Sequence, residues 1–302
     1  MNDKIINKIN RLRDERNAVI LAHNYQIPEI QDIADYVGDS LGLSQIASKT
    51  EADVIVFCGV HFMAETAKIL SPDKRVIMPD VNSGCPMANM INARQLKNLK
   101  TSYPDAVVVC YVNSTAEVKA EVDYCCTSAN APKVIEAIEK DRQIIFVPDK
   151  YLGAWTAKQT GREMILWEGF CPTHRRILPE NFVEMRAKHP NAVVIAHPEC
   201  VPEVTDMADY VRSTSGMLKV PGEVDAKEFI IATEIGMLHP LRKAHPDRIF
   251  YPASELADCP NMKLNSLEKL LWVLEDMQPE ITVPDEIRIR ALKSIERMVS
   301  IT

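Results

Sequence analysis

The sequence predicts an α/β protein: three similar small three-layer αβα units with parallel sheets, arranged with pseudo-threefold symmetry around a central site. Three observations predict it. Short β-branched runs recur in "RNAVILAHNYQI" from Arg16, "PDAVVVCYVNST" from Pro104 and "PNAVVIAHPECV" from Pro190, with the shared alanines Ala18, Ala106 and Ala192 spaced 88 and 86 residues apart. Each run is followed by helical and strand-like stretches in alternation, the pattern of βαβ units. Finally, three of the eight cysteines precede a proline, and these three, Cys85, Cys171 and Cys259, lie 86 and 88 residues apart.

The elements follow in order. "MNDKIINKINRLRDERN" mixes acids and bases without an apolar run, so it reads as an exposed opening helix and not as a signal peptide. The first unit, 1–88, continues from its strand into "IQDIADYVGDSLGLSQIASKT", read as helical, then the apolar "DVIVFCG", the helix "HFMAETAKIL" and the strand "RVIMPD". The second, 89–174, places the helical "APKVIEAIEK" and the strand "QIIFVPD" after "YCCTS", with a long tail before its Cys-Pro pair. In the third, 175–262, come "DYVRSTSGM", "EFIIATE", a helix through "LHPLRKA" and "RIFYPAS". Each unit therefore reads as βαβαβ, the third with an extra strand-like run. Two amphipathic helices fill 263–302, "NSLEKLLWVLEDM" and "PDEIRIRALKSIERMV", and are expected to join the first unit.

A net charge of −7 excludes an electrostatic footprint for nucleic acid, and no run of 18 apolar residues reads as a membrane helix. A cytoplasmic location is expected, where structural disulfides are rare, so the eight cysteines need another explanation. Burial as small hydrophobes accounts for Cys58, Cys110, Cys125, Cys126 and Cys200. It does not account for three Cys-Pro pairs in step with the repeat.

Ligands of open parallel sheets bind beyond the carboxyl ends of the strands. If three such ends face one axis, one cysteine from each unit meets there. Three thiolates suit a [4Fe–4S] cluster with one iron open, or a zinc ion with one open position. The strand ends also carry paired polar residues: His23 and Tyr25, Tyr111 and Asn113, His197 and Glu199. Tyr25 is suited to shuttle a proton, and Glu199 to act as a base steered by His197. Burial is expected to raise the Glu199 carboxyl, and neighbours to lower the Tyr25 phenol. Tyr111 and Asn113 suit a carboxylate or carbonyl. Glycine-rich phosphate loops are absent, so anions are expected at helix starts, near Asp39, Ser40, Ser128, Ser213 and Thr214. His174, three residues after Cys171, backs the metal or holds a substrate carboxylate, and His61 caps its helix or meets a ligand.

Taken together, "LAHNYQ", "GDSLGLS", "FCGVHFMAETAKIL", "GCPMA", "GFCPTH", "AHPEC", "STSGM" and "CPNMK" resemble the blocks of the quinolinate synthase family across residues 21–262. The resemblance implies a [4Fe–4S] cluster on Cys85, Cys171 and Cys259 with one open iron. It implies NAD biosynthesis by condensation of iminoaspartate with dihydroxyacetone phosphate, losing phosphate and two waters. It implies substrate contacts at His23, Tyr25, Asp39, Ser40, Tyr111, Asn113, Ser128, His174, His197, Glu199, Ser213 and Thr214. It also implies a link to an L-aspartate oxidase or dehydrogenase as the source of the unstable iminoaspartate. Some members carry a C-x-x-C-x-x-C at the third ligand; this chain does not. Two other readings remain: a different [4Fe–4S] hydro-lyase of small carboxylates, or a metal-binding protein without turnover.

Overall fold

In a computed structural model, residues 2–301 are described. Twelve short strands form three four-stranded, all-parallel sheets. The first holds β1 (Ala18–His23), β2 (Tyr36–Gly38), β3 (Val54–Cys58) and β4 (Arg75–Ile77). The second holds β5 (Val107–Tyr111), β6 (Tyr124–Cys126), β7 (Ile144–Val147) and β8 (Ile165–Leu166). The third holds β9 (Val193–Ala196), β10 (Tyr210–Val211), β11 (Glu228–Ala232) and β12 (Ile249–Pro252). All three share one order, second–first–third–fourth.

Four strands per sheet correct the βαβαβ expectation. The stretch read as helical after β1 breaks into the helix Pro28–Ile33, the edge strand β2 and the helix Ser40–Lys49. The cause is a side chain that competes with helix. Asp35 accepts the Ile20 N–H through its carboxylate at 2.8 Å and donates its own N–H to the Ile20 carbonyl. That double bond pins an extended segment beside β1. Asp123 grips Val108 and Asp209 grips Val194 in the same way, each side-chain bond at 2.8 Å. All three aspartates precede a tyrosine, at positions 35, 123 and 209, so an Asp-Tyr pair marks the edge strand of every unit.

Central strands are buried on both faces, as helix-covered parallel strands must be. Alternation divides the packing. Val19 and Leu21 of β1, with Ile55 and Phe57 of β3, face a large core that also takes Ile195 of β9, Ile231 of β11 and the whole of β5 and β7. Ile20, Ala22, Val54 and Val56 face outward, against Ile9 and Leu12 of the helix Asn2–Glu15 and Leu270, Leu271 and Leu274 of the helix Leu267–Asp276. The opening helix is therefore half buried. The third sheet builds its own outer cluster on Phe182. One core thus runs through all three sheets. The helix Asp285–Ser300 packs on both the helix His61–Leu70 of the first unit and β6 of the second.

Lys119 locks the first two units together. It is fully buried and donates to the Ser114 carbonyl at 2.8 Å, the Thr66 hydroxyl at 3.0 Å and the Phe62 carbonyl at 3.4 Å. Glu65, partly buried, offsets its charge. Truncation removes the buried ammonium from among those acceptors and takes away the main countercharge of Glu65, so Lys119→Ala is expected to lose about 3–5 kcal/mol of stability. Urea unfolding checks this; a loss below about 1 kcal/mol, the scale of an exposed ion pair, contradicts a buried clamp.

Candidate active site

The carboxyl ends of β1, β5 and β9 open onto one cavity lined from all three sheets. His23, Tyr25, Asp39, Ser40, Tyr111, Asn113, Ser128, His174, His197, Glu199 and Thr214 line it, together with Cys85, Cys171 and Cys259. Ser213 does not. It caps the helix Thr214–Glu223, its hydroxyl accepting the Gly216 N–H at 3.3 Å. Asp39 caps the helix Ser40–Lys49 by accepting the Gly42 N–H, while still reaching the wall. His61 lies outside the lining, its ring 3.7 Å from Glu65. Ser40, Ser128 and Thr214 each stand five residues after an edge-strand aspartate, so the repeat delivers one hydroxyl per unit to the cavity.

Each cysteine sits one short helical turn ahead of a buried side chain: turns at Met87–Asn89, His174–Arg176 and Met262–Leu264 follow the three Cys-Pro pairs. Proline suits that position because its fixed φ starts the turn and its missing N–H has no partner to lose. The next backbone N–H groups then face sulfur: Met87 and Ala88 at Cys85, His174 at Cys171, Asn261 and Met262 at Cys259. No disulfide occupies any of these thiols. Burial pushes the Cys85 thiol up to about 12 and raises those of Cys171 and Cys259. Without a cation these sulfurs stay protonated, whereas a bound metal deprotonates a coordinating thiol outright. Three unlinked thiols with N–H donors aimed at them fit a thiolate-bound metal group. A second donor set overlaps them: atoms of Cys171, His174 and Glu199 lie within 4.8 Å of one another. The other five cysteines are buried free thiols in the cores.

Protonation states follow from the hydrogen bonds. The Tyr25 N–H points at His23 Nδ1 (3.2 Å) and the Glu199 N–H at His197 Nδ1 (3.3 Å), so each Nδ1 carries the lone pair and each Nε2 the proton. His197 Nε2 donates to the Ser128 hydroxyl at 3.1 Å. Burial holds both imidazoles down to about 3. Glu199 departs from expectation. Burial raises its carboxyl, but His174 Nδ1 at 2.8 Å, His197 and the Tyr111 hydroxyl outweigh burial and hold it below the usual carboxylate range. Tyr25 departs in the other direction: burial, then the Glu199 charge, raises its phenol well above the ordinary value despite the Thr233 bond. The cavity thus holds an ionised Glu199 and a protonated Tyr25.

Sequence reasoning missed three contacts. Thr233, just past β11, joins the Tyr25 hydroxyl (2.6 Å) to His174 Nε2 (2.8 Å). Asn24 donates to the Thr214 hydroxyl at 2.9 Å. Glu234, next to Thr233, lines the cavity. The available signal was a polar pair ending the apolar run "EFIIATE", the same signal that pointed to His23 and His197. Asn113 Oδ1 is buried and has no partner, an acceptor facing the cavity.

The sequence profile of a family described as "NadA: Quinolinate synthetase A protein" matches residues 7–300. A protein named Quinolinate synthase from Dehalococcoides mccartyi strain CBDB1 is 55% identical over 98% of this chain and 98% of its own. Quinolinate synthase of Desulforudis audaxviator is 54% identical over 100% and 99%. Quinolinate synthase 1 of Methanosarcina acetivorans is 54% identical over 98% and 97%. No described helix is long and apolar enough to cross a membrane.

Two imidazoles held near 3 imply a pH dependence of stability. Between pH 6.5 and 3 the unfolded chain binds protons that the folded chain refuses, so stability falls as pH falls. Metal-free protein unfolded in urea between pH 7 and 5 is expected to lose stability more steeply than His23→Gln or His197→Gln. The difference approaches about 1.4 kcal/mol per pH unit for each histidine well below pH 6.5. Equal slopes would contradict neutral buried rings.

Proposed function

Because the chain belongs to the quinolinate synthetase A family, we propose that it condenses iminoaspartate with dihydroxyacetone phosphate to quinolinate, releasing phosphate and two waters. Cys85, Cys171 and Cys259 hold a [4Fe–4S] cluster. The observation that carries this reading is the meeting of three Cys-Pro turns, one following each sheet, at a single cavity. When bound, the cluster would supply a Lewis acid to a substrate oxygen.

The chain's own groups do the rest. Tyr25, protonated, donates to an oxygen or nitrogen of the substrate, and Glu199, ionised, accepts a proton. A carboxylate held below its usual range is a weak base, so beyond that step Glu199 acts mainly as a fixed charge that orients the Tyr111 hydroxyl and the His174 ring, which it touches. Nε2–H of His23 is an uncharged donor for a carboxylate. Ser40, Ser128 and Thr214 offer hydroxyls to phosphate and carboxylate oxygens at helix starts, and Asn113 Oδ1 accepts from the imine nitrogen or a hydroxyl. The apolar wall of Val60, Phe62, Met63, Met87 and Met262 excludes water during dehydration. The reaction belongs in the cytosol, where thiols stay reduced, beside an L-aspartate oxidase or dehydrogenase that supplies iminoaspartate.

A single metal ion on Cys171, His174 and Glu199 is the second reading, favoured by the closeness of those donors. Iron and sulfide per chain decide between them. Under the cluster reading, anaerobically reconstituted Cys85→Ser, Cys171→Ser and Cys259→Ser each lose the bound iron, and Cys125→Ser and Cys126→Ser keep it. Iron retained by Cys85→Ser and Cys259→Ser but lost by Cys171→Ser selects the single-ion site.

Tyr25→Phe is expected to keep cluster and substrate binding while turnover falls about 10²- to 10⁴-fold, because only the transferable proton is removed. Glu199→Gln should do likewise. Quinolinate formation from the two substrates at near wild-type rate in Tyr25→Phe would reduce that side chain to packing.

A further inference from the structure

Glu234 takes no part in the chemistry above, yet it is fully buried beside the cavity. Its partners explain its retention. Oε1 accepts the backbone N–H of Cys259 at 3.1 Å and lies 2.9 Å from the Lys263 ammonium. Oε2 accepts the Gly236 N–H at 2.7 Å. Lys263 also donates to the Tyr25 carbonyl. The knot leaves no slack: a methyl group at Gly236 would come within 2.8 Å of Glu234 Oε2, Lys263 Nζ and the Tyr25 carbonyl carbon. A buried carboxylate is tolerated only when so paired, and bonds from N–H to an ionised acceptor are about twice as strong as neutral ones.

The second sheet has an acid at the same place, used differently. Asp149 follows the end of β7 by two residues, as Glu234 follows β11. It is fully buried and caps the helix Lys150–Thr160, its Oδ1 accepting the N–H groups of Tyr151 (2.8 Å) and Leu152 (3.0 Å), while its Oδ2 has no hydrogen-bond partner. In the first sheet the same place is taken by Val60, and the Cys85 loop is held by other means: Asn261 donates to the Gly84 carbonyl and Ser83 contacts the Asn261 carbonyl at 2.6 Å.

We propose that Glu234 is a positioning residue that fixes the Cys259 loop through its backbone N–H and so presents the thiol to the cavity. The proposal rests on the reading that these thiols hold a cluster. Contacts behind a metal ligand typically change metal affinity about 10- to 100-fold.

The test is iron release to a chelator from anaerobically reconstituted protein. Glu234→Ala should release iron about 10- to 100-fold faster than wild type. Glu234→Gln, which keeps an acceptor for the Cys259 N–H, should fall between them. In cluster-free protein, Cys259 of Glu234→Ala should react with iodoacetamide faster relative to Cys85 than in wild type. Release and alkylation both within about twofold of wild type would overturn the proposal. If Glu234→Ala does not fold, Glu234→Gln and Lys263→Met replace it, and wild-type release in both overturns it equally. A wild-type protein that takes up no iron removes the cluster reading instead, and the alkylation ratio alone then decides whether Glu234 positions the loop.

Discussion

The buried charge of Glu199 is the interaction around which the cavity is arranged. An ionised carboxylate out of water costs several kcal/mol unless its lone pairs are met. Here Tyr111 meets one oxygen and His174 the other, while His197 lies beside the first. Those partners come from the second and third units, so the charge also ties the units together. Its field reaches further. After burial itself, Glu199 is the next cause holding Tyr25, Tyr111, Asp149 and the Cys171 thiol in their protonated forms. One anion thus keeps the neighbouring acids neutral, and the cavity carries donors that are loaded before any substrate enters.

Beyond burial, the same carboxylate makes the Cys171 and Cys85 thiols costlier to ionise, as Glu234 does for Cys259. A cavity that already carries negative charge resists three more. Thiolates become favourable only when a cation arrives with them, so metal entry and thiol deprotonation are one event. The N–H groups behind each sulfur lower part of that barrier and leave the rest to the metal.

Much of this was readable from spacing. The repeat of 86 and 88 residues aligned the three strands, the polar residues at their ends and the three Cys-Pro pairs, and all of these meet at the cavity except Ser213. Strands β2 and β6 were not read, because three residues carry no periodicity; the Asp-Tyr pair that marks each one acts through a single side-chain bond, legible only by comparing units. The signs of the Glu199 and Tyr25 shifts were also reversed. Burial alone was weighed for Glu199, and its opposing partners, Tyr111 and His174, lie 88 and 25 residues away in sequence. Thr233 and Glu234 were passed over as the end of a strand, although a strand's carboxyl end is where polar residues do chemistry.

The contrast between the units then becomes informative. The first sheet places His23 and Tyr25 at the cavity but has valine where the others have a buried acid. An acid at that place would add a further carboxyl to the cavity that already holds Glu199 and Glu234. The first loop is instead tied to the third by asparagine amides, which carry no charge: Asn261 reaches Gly84, and Asn265 reaches the Gly59 carbonyl at 3.1 Å. Neutral amides at the first turn and a lysine-paired carboxylate at the third hold equivalent turns with different electrostatics. Repetition sets where the thiols stand; departures from repetition set how much negative charge the cavity carries before a cation enters it.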